Sequence, residues 1–281
     1  RLLPVTGVQT CALPISLRRL AQAVAQRPPT SVQPLGLALR HAELQLLADA
    51  IDGLLDRVRR QLAHERTLMH DTAHELRTPL AVVAAQAHAL VHAPDPEARE
   101  AALQGLQRGV QRSSHLVEQL LSLARLESPA AVPVAEPVDL VQACQRHLID
   151  LDPLAQARGI ELSLCAPPQA MATLPPAALH SVLDNLLRNA LQHCPPGAQV
   201  ELRLATGPDG HRLEVLDDGP GLPPDERERA FERFFRGAGA GPGSGLGLTI
   251  VREAARQLGG TATLSAGEGG RGLRAVVEWP G

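Results

Sequence analysis

Aromatic side chains are nearly absent from this sequence. Its 281 residues include three Phe, one Trp and no Tyr. The core must therefore be built from aliphatic side chains, and the 44% hydrophobic content lies in the normal range for a globular protein. The apolar residues are mostly Leu, Ala and Val. This composition favours helix-rich packing.

Excess charge of one sign and clustered cysteines are missing as well. The formal net charge is only −3, which argues against a general nucleic-acid-binding protein. The cysteines form no CxxC pair and show no metal-ligand spacing, so we expect reduced thiols in a cytosolic domain. They are Cys11, Cys144, Cys165 and Cys194.

Residues 1–16 share neither the composition nor the periodicity of the rest of the chain. The run 5–15 (VTGVQTCALPI) looks like the translation of a sequencing-library adapter, so we predict that residues 1–16 are an artefact. They lack the basic start and long apolar core of a signal peptide. They are also too short and polar to span a membrane, which takes about 20 apolar residues. We therefore expect the natural N-terminal region to be missing.

Two long segments carry a helical repeat of apolar residues. The first runs from about Glu43 past Leu76 with a heptad seam, which favours a helical partner. A turn at 93–96 separates it from a second helix, predicted over 97–127. Two long helices joined by a short turn form an antiparallel hairpin, which has too small a core to be stable alone. We predict that two hairpins pair as a dimeric four-helix bundle; a helix of a monomeric bundle is the alternative for the first segment.

The segment 69–80 concentrates reactive side chains on the first of these helices. His74 adjoins Glu75, and Thr78 lies one turn further on the same side. Pro79 is expected to bend the helix just beyond. A single helical histidine is more often structural than catalytic, so the case for catalysis depends on the rest of the chain.

Helix and strand patterns alternate after a linker rich in Pro and Ala at 129–137. Asp139 is expected to cap a helix that ends at Arg158. The pattern predicts an α+β sandwich with its helices on one face of a sheet. Further helices are predicted over 176–193 and 245–258, and strands over 160–165, 200–205, 211–216, 261–266 and 273–279.

Asn185, Asn189 and His193 recur at four-residue intervals, along one helical face. Amide oxygens can ligate Mg²⁺, and amide nitrogens can donate to phosphates. The polar face of an ordinary amphipathic helix would look the same.

Two glycine-rich motifs come next in the chain. In 217–221 (DDGPG) the carboxylate of Asp217 could accept a hydrogen bond from the adenine amine, and Gly219 and Gly221 would let the backbone approach the base. In 243–248 (GSGLGL) glycines open a helix, whose free N–H groups attract anions. Each motif alone could be a turn or a flexible linker. The sequence has no GK[ST] of a P-loop, and the glycines are not succeeded by the parallel-strand pattern of a Rossmann fold.

Taken together and in this order, the motifs resemble those of bacterial sensor histidine kinases. Residues 74–80 (HELRTPL) match every position of the H-box, and 231–236 (FERFFR) resemble the F-box. The segments at 185–193, 217–221 and 243–248 resemble the N-box, G1-box and G2-box. The resemblance covers about residues 35–280. It implies a dimerising phosphoacceptor hairpin of the HisKA type followed by an α+β ATP-binding domain of the HATPase_c (GHKL or Bergerat) type.

The resemblance also implies roles for individual residues. His74 would be the phosphoacceptor, Glu75 would activate its ring, and Thr78 would orient water for phosphatase activity. Asn189 would help to hold Mg²⁺. The implied partners are a second copy of the chain and the receiver domain of a response regulator. The residues implied to bind ATP are Asn185, Asn189, His193, Asp217, Gly219, Gly221, Gly243, Gly245, Gly247 and Leu248.

The implied domain order is a HAMP-like linker and signalling helix over 17–60, the dimerisation and phosphotransfer domain over 61–128, the linker at 129–137 and the ATP-binding domain over 138–281. The parent protein would lie in the bacterial inner membrane, with this part in the cytoplasm. Two alternatives remain: a catalytically weak scaffold or phosphatase, and another ATPase of the same fold. One departure is the absence of an acidic residue near Leu174 and Pro175, shortly before the N-box.

Overall fold

The computed structural model describes residues 9–28, 31–38, 41–127, 134–237 and 243–281. The predicted linker therefore lies partly outside the described residues, and so does the start of the predicted artefact. The chain divides into two units, Arg1–His74 and Glu75–Gly281, each of which is described by itself.

The first unit contains helix α1 (Gln9–Ala25) and the first part of helix α2 (Ala42–Val91). Leu20 and Ala48 are its buried apolar residues. The carboxylate of Asp52 accepts hydrogen bonds from the backbone N–H groups of Leu35 and Gly36 and so fixes the segment before α2. Helix α1 begins within the predicted artefact and ends within the predicted HAMP-like segment. Among the described residues, no helix is both long and apolar enough to cross a membrane.

The second unit begins with a helical hairpin formed by the end of α2 and by α3 (Pro96–Glu127). A Cβ atom added to Gly105 would lie 2.7 Å from the side chain of Gln86, and one added to Gly109 would lie 2.9 Å from Val83. Earlier residues of α2 thus face later residues of α3, so the two helices run antiparallel. Pro79 lies inside α2.

The rest of the second unit is an α+β sandwich, so the predicted fold class is confirmed. Its five-stranded sheet has the order β2-β4-β5-β7-β6, in which β2 and β4 are parallel and the other neighbours are antiparallel. The strands are β2 (Glu161–Cys165), β4 (Gln199–Gly207), β5 (Gly210–Asp217), β6 (Thr261–Ala266) and β7 (Leu273–Trp279). Two short strands that the sequence pattern did not predict, β1 (Glu136–Asp139) and β3 (Met171–Leu174), pair antiparallel beside the sheet.

Helices α4 (Leu140–Arg158), α5 (Pro176–His193) and α7 (Gly247–Gln257) share one core with the alternate residues of these strands. Leu213 and Val215 point into this core from β5. Because side chains alternate along a strand, Asp217 emerges on the same face, at the end of β5. The short helix α6 (Pro224–Arg227) lies in the loop beyond.

Candidate functional site

The second unit contains a cavity of about 300 Å³ between α5, the end of β5, the loop after β5 and the start of α7. Residues of α3 close one side of it. The lining includes His115, Gln119, Asn185, Arg188, Asn189, Gln192, His193, Asp217, Gly221, Leu222, Glu226, Phe235, Arg236, Gly243, Ser244, Gly245, Gly247 and Leu248.

Helix α5 presents a polar stripe to the cavity and an apolar stripe to the core. Its lining residues recur at helical spacing: Asn185, Arg188, Asn189, Gln192 and His193. Within the described residues the side-chain amide of Asn189 has no hydrogen-bond partner. An unpaired amide on the wall of a cavity is available to a ligand.

The carboxylate of Asp217 lines the cavity and is held in place by backbone N–H groups. Its Oδ1 accepts hydrogen bonds from the backbone N–H groups of Gly219, at 3.0 Å, and Leu273, at 3.2 Å. Among the described residues, no backbone N–H donates to its Oδ2. Burial raises the pKa of this carboxyl, against the effect of the two N–H donors, and the neighbouring Asp218 raises it further. A desolvated carboxyl in a cleft is typical of a functional site.

The imidazole of His193 lies at the end of the polar stripe. Partial burial lowers its pKa, and the cations Arg158 and Arg236 lower it further, while Asp217 acts in the opposite direction. His193 is therefore more readily neutral than an exposed histidine. A neutral ring can donate one hydrogen bond and accept another, but it gives a phosphate no fixed positive charge.

The glycine-rich motif and the F-box are tied together at the start of α7. The N–H of Phe234 donates to the carbonyl of Gly245, and the hydroxyl of Thr249 donates to the carbonyl of Phe231. Gly245 has φ of +70°, and a Cβ atom there would lie 2.6 Å from the backbone of Phe234. Only glycine fits this close approach.

No side chain caps the N-terminus of α7. The first N–H groups of a helix have no partner within it, and together with the helix dipole they favour an anion. Gly243, Gly245, Gly247 and Leu248 all line the cavity at this end. This end of the cavity suits phosphate groups.

Nine of the ten residues predicted to bind ATP line the cavity. Gly219 is the exception: its N–H holds Asp217, and a Cβ atom there would lie 2.9 Å from the Asp217 carboxylate. Sequence reasoning did not identify the lining residues His115, Gln119, Arg188, Gln192 and Arg236. The spacing on α5 could have suggested Arg188 and Gln192, but nothing in the sequence marks the two α3 residues.

The three residues predicted to be catalytic, His74, Glu75 and Thr78, lie on α2, on two successive turns. His74 and Thr78 are exposed, and Glu75 is half-buried. Glu75 and Thr78 are not part of the cavity lining. His74 is the last residue of the first unit.

The donor set of the cavity fits ATP. It offers a carboxylate oxygen for an amine, an uncapped helix N-terminus for phosphates, and a free amide at Asn189. Within the described residues no group of three or more His, Cys, Asp or Glu side chains could hold a metal ion. Mg²⁺ binds few protein ligands and completes its shell with phosphates and water, and Asn189 could offer it one amide oxygen.

Two family models match the chain. Residues 64–129 match the model described as the His Kinase A (phospho-acceptor) domain. Residues 175–281 match the model described as the histidine kinase-, DNA gyrase B- and HSP90-like ATPase. Both predicted domain types are therefore present, in the predicted order.

A sensor protein and histidine kinases of known structure are among the proteins similar to this chain. The swarming motility regulation sensor protein RssA of Serratia marcescens is 32% identical over 266 residues, which cover 94% of this chain and 57% of RssA. The Acinetobacter baumannii histidine kinase AdeS superposes with a TM-score of 0.59 at 21% identity, covering 74% of this chain and 97% of that one. Full-length ShkA in complex with AMPPNP superposes with a TM-score of 0.54 at 29% identity, covering 76% of this chain and 45% of that one. The chain spans somewhat over half the length of the curated relatives it matches.

Proposed function

Because this chain belongs to the sensor histidine kinases, we propose that it is the kinase core of a longer sensor, which autophosphorylates His74 from ATP and passes the phosphoryl group to an aspartate of a response regulator. The observation that carries this proposal is the cavity that gathers the N-box, G1-box and G2-box residues on one domain, in a chain that also bears an exposed H-box histidine.

On the nucleotide side, Asp217 would bind the adenine amine through Oδ2, since Oδ1 is already held by two backbone N–H groups. Gly245, Gly247 and the N-terminus of α7 would bind the phosphates. Asn185, Asn189 and His193 would line the phosphate side, with Asn189 contributing an oxygen to Mg²⁺. When bound, ATP with Mg²⁺ supplies an activated phosphoryl group whose transfer depends mainly on positioning and charge neutralisation.

On the acceptor side, one ring nitrogen of His74 would be the nucleophile. Glu75 would hold the proton of the other nitrogen and keep the ring neutral and oriented. The exposure of His74 supports this role, since its ring is accessible to a second protein. Thr78, one turn later, would orient water against the acyl phosphate of the regulator and so provide phosphatase activity.

The proposal extends to assembly and location. The heptad seam and the HisKA match support a homodimer in which two hairpins form a four-helix bundle. The sensor proteins among the relatives support a parent anchored in the bacterial inner membrane, with this part in the cytoplasm. The domain bounds predicted from the sequence, with a HAMP-like segment over 17–60, remain part of the proposal.

Labelling with ATP tests the central assignment. We would incubate the chain with γ-labelled ATP and Mg²⁺ beside a His74→Gln variant. We expect label on the unaltered chain that is lost in acid and stable in alkali, as a phosphohistidine is, and none on the variant. Binding of ATP without labelling would instead favour the scaffold or phosphatase alternative, and label that persists in the variant would exclude His74 as the acceptor.

A further inference from the structure

Gln119 of α3 enters the candidate nucleotide site from the phosphoacceptor hairpin. It is 8% exposed, one of few buried polar residues in the described part of the chain. Its Nε2 donates to Oδ1 of Asn185 at 3.3 Å, and its Oε1 accepts from the hydroxyl of Ser244 at 2.6 Å. One side chain thus bridges the N-box and the G2-box.

These contacts occupy polar groups on the wall of the candidate nucleotide site. The amide of Asn185 also donates through Nδ2 to the carbonyl of Ser181, so both ends of this amide are paired with protein. The hydroxyl of Ser244 donates to Gln119 and accepts from the N–H of Leu246. A Cβ atom added to Gly247 would lie 3.9 Å from Nε2 of Gln119, so the Gln119 amide lies beside the N-terminus of α7.

Other contacts hold α3 in the same place. The side chain of Arg233, in the F-box, pairs with Glu127, and both are largely buried. The amide of Gln257 donates to the carbonyl of Leu126 at 2.9 Å. The hydroxyl oxygens of Ser122 and Ser181 lie 3.3 Å apart. Together these residues form a docking surface between α3 and the ATP-binding domain, and Gln119 is its contact with the nucleotide site.

We propose that Gln119 is a nucleotide-competing latch: its amide keeps α3 docked by occupying Asn185 and Ser244, and nucleotide binding at these residues releases α3. The inference rests on the proposed ATP site and adds a residue of the hairpin to its regulation. If the docked state dominates, the apparent affinity for nucleotide is reduced by the fraction of the chain that is undocked.

Nucleotide affinity is the first test. We would titrate the full chain with the β,γ-imido analogue of ATP and Mg²⁺ by calorimetry and compare a Gln119→Ala variant. Each hydrogen bond lost shifts the docking equilibrium by a factor of about 2 to 12, so we expect the variant to bind about five- to tenfold more tightly. Gln111→Ala is the matched control, because Gln111 is exposed on the same helix, and its affinity should stay within about twofold.

Locking the docked state is the second test. A double variant, Ser122→Cys with Ser181→Cys, places two thiols across the docking surface. The background carries Cys11→Ser and Cys165→Ser. Cys144 and Cys194 are retained because they are buried. We expect a disulfide on oxidation, at least tenfold weaker binding of the analogue, and recovery with dithiothreitol. The two single-cysteine variants should show no redox effect.

Opposite results would overturn the latch. Weaker binding by Gln119→Ala would make Gln119 a nucleotide ligand, and unchanged binding would show that docking does not compete. Failure of the cysteines to cross-link would show that α3 does not dock here. Each of these results leaves the ATP site intact, whereas a chain that binds no nucleotide in any of these forms would refute both the latch and the proposed function.

Discussion

At the scale of single residues, Asp217 shows how one carboxylate can serve both fold and ligand. Both backbone donors, Gly219 and Leu273, bind the same oxygen. The other oxygen is the one proposed to bind the adenine amine, while burial and Asp218 raise the pKa of the group. A folded-state pKa above the unfolded value means that this group disfavours the fold increasingly as pH rises through it. The buried, ionised carboxylate therefore lowers the stability of the folded state.

Asp217→Asn should separate the effect of the carboxylate on nucleotide binding from its effect on stability. The amide oxygen would keep the two backbone N–H groups, so its NH₂ would face the cavity, where the adenine amine is also a donor. We expect affinity for the ATP analogue to fall at least tenfold, while the thermal midpoint at pH 7.5 stays equal or rises because a buried charge is removed. Calorimetric titration and thermal unfolding measure the two quantities. A variant that binds normally would refute the role of Asp217.

Thr78 provides a second prediction at this scale. Thr78→Ala removes the hydroxyl proposed to orient water but leaves His74 and Glu75 in place. We expect labelling by ATP within about twofold of the unaltered chain and at least tenfold slower loss of phosphate from a phosphorylated receiver domain. Thr78→Ser, which keeps a hydroxyl, is the matched control. Equal loss of both activities would contradict this division of roles.

At the scale of elements, helix α4 illustrates how much is decided locally. Asp139 accepts hydrogen bonds from the N–H groups of Val141 and Gln142, and Gly159 ends the helix with φ of +67°. Both ends are predictable from these residues, and α5, β6 and β7 have the predicted bounds. The pattern did not predict β1 and β3, since strands of four residues carry too little periodicity to recognise.

Asp139→Ala should therefore destabilise the ATP-binding domain. Loss of an N-cap side chain costs about 1 kcal/mol, so we expect the free energy of unfolding to fall by about that amount. The fluorescence of Trp279, the only tryptophan, buried on β7, would report unfolding of this domain in urea. Asp150→Ala is the control, because Asp150 is exposed within the same helix. Equal midpoints for the two variants would show that the cap does not stabilise the domain.

At the scale of the whole molecule, protonation of several histidines destabilises the folded state. Burial lowers the pKa of His180, His193 and His211, and the neighbouring His147 and Arg146 lower that of His180 further. The folded state therefore binds fewer protons than the unfolded state once pH falls below about 6.5. At lower pH the protonation of Glu214 also destabilises the folded state. Burial alone would raise its pKa, but hydrogen bonds from Arg274 and Arg212 lower it overall, so its stabilisation is lost as pH falls below the ordinary range of a glutamate.

We accordingly expect the thermal midpoint to be a few degrees lower at pH 5.5 than at pH 7.5, measured by the fluorescence of Trp279. His180→Gln should reduce this difference, because the glutamine has no proton to gain. At pH 8 the His180→Gln substitution should have little effect on the charge of either the folded or the unfolded state. A pH difference that His180→Gln leaves unchanged would contradict the direction assigned to His180.

Local sequence is sufficient to predict the long helices and most strands of the two domains, because periodicity, caps and glycine conformations are set by interactions within a few residues. Nine of the ten residues predicted to bind ATP line the cavity, because the spacing within each motif brings its residues together. The contacts of Gln119 with Asn185 and Ser244, which lie 66 and 125 residues away from it in the chain, are set by tertiary packing alone. Contacts of that separation depend on how α3 packs against α7, and no local pattern encodes them.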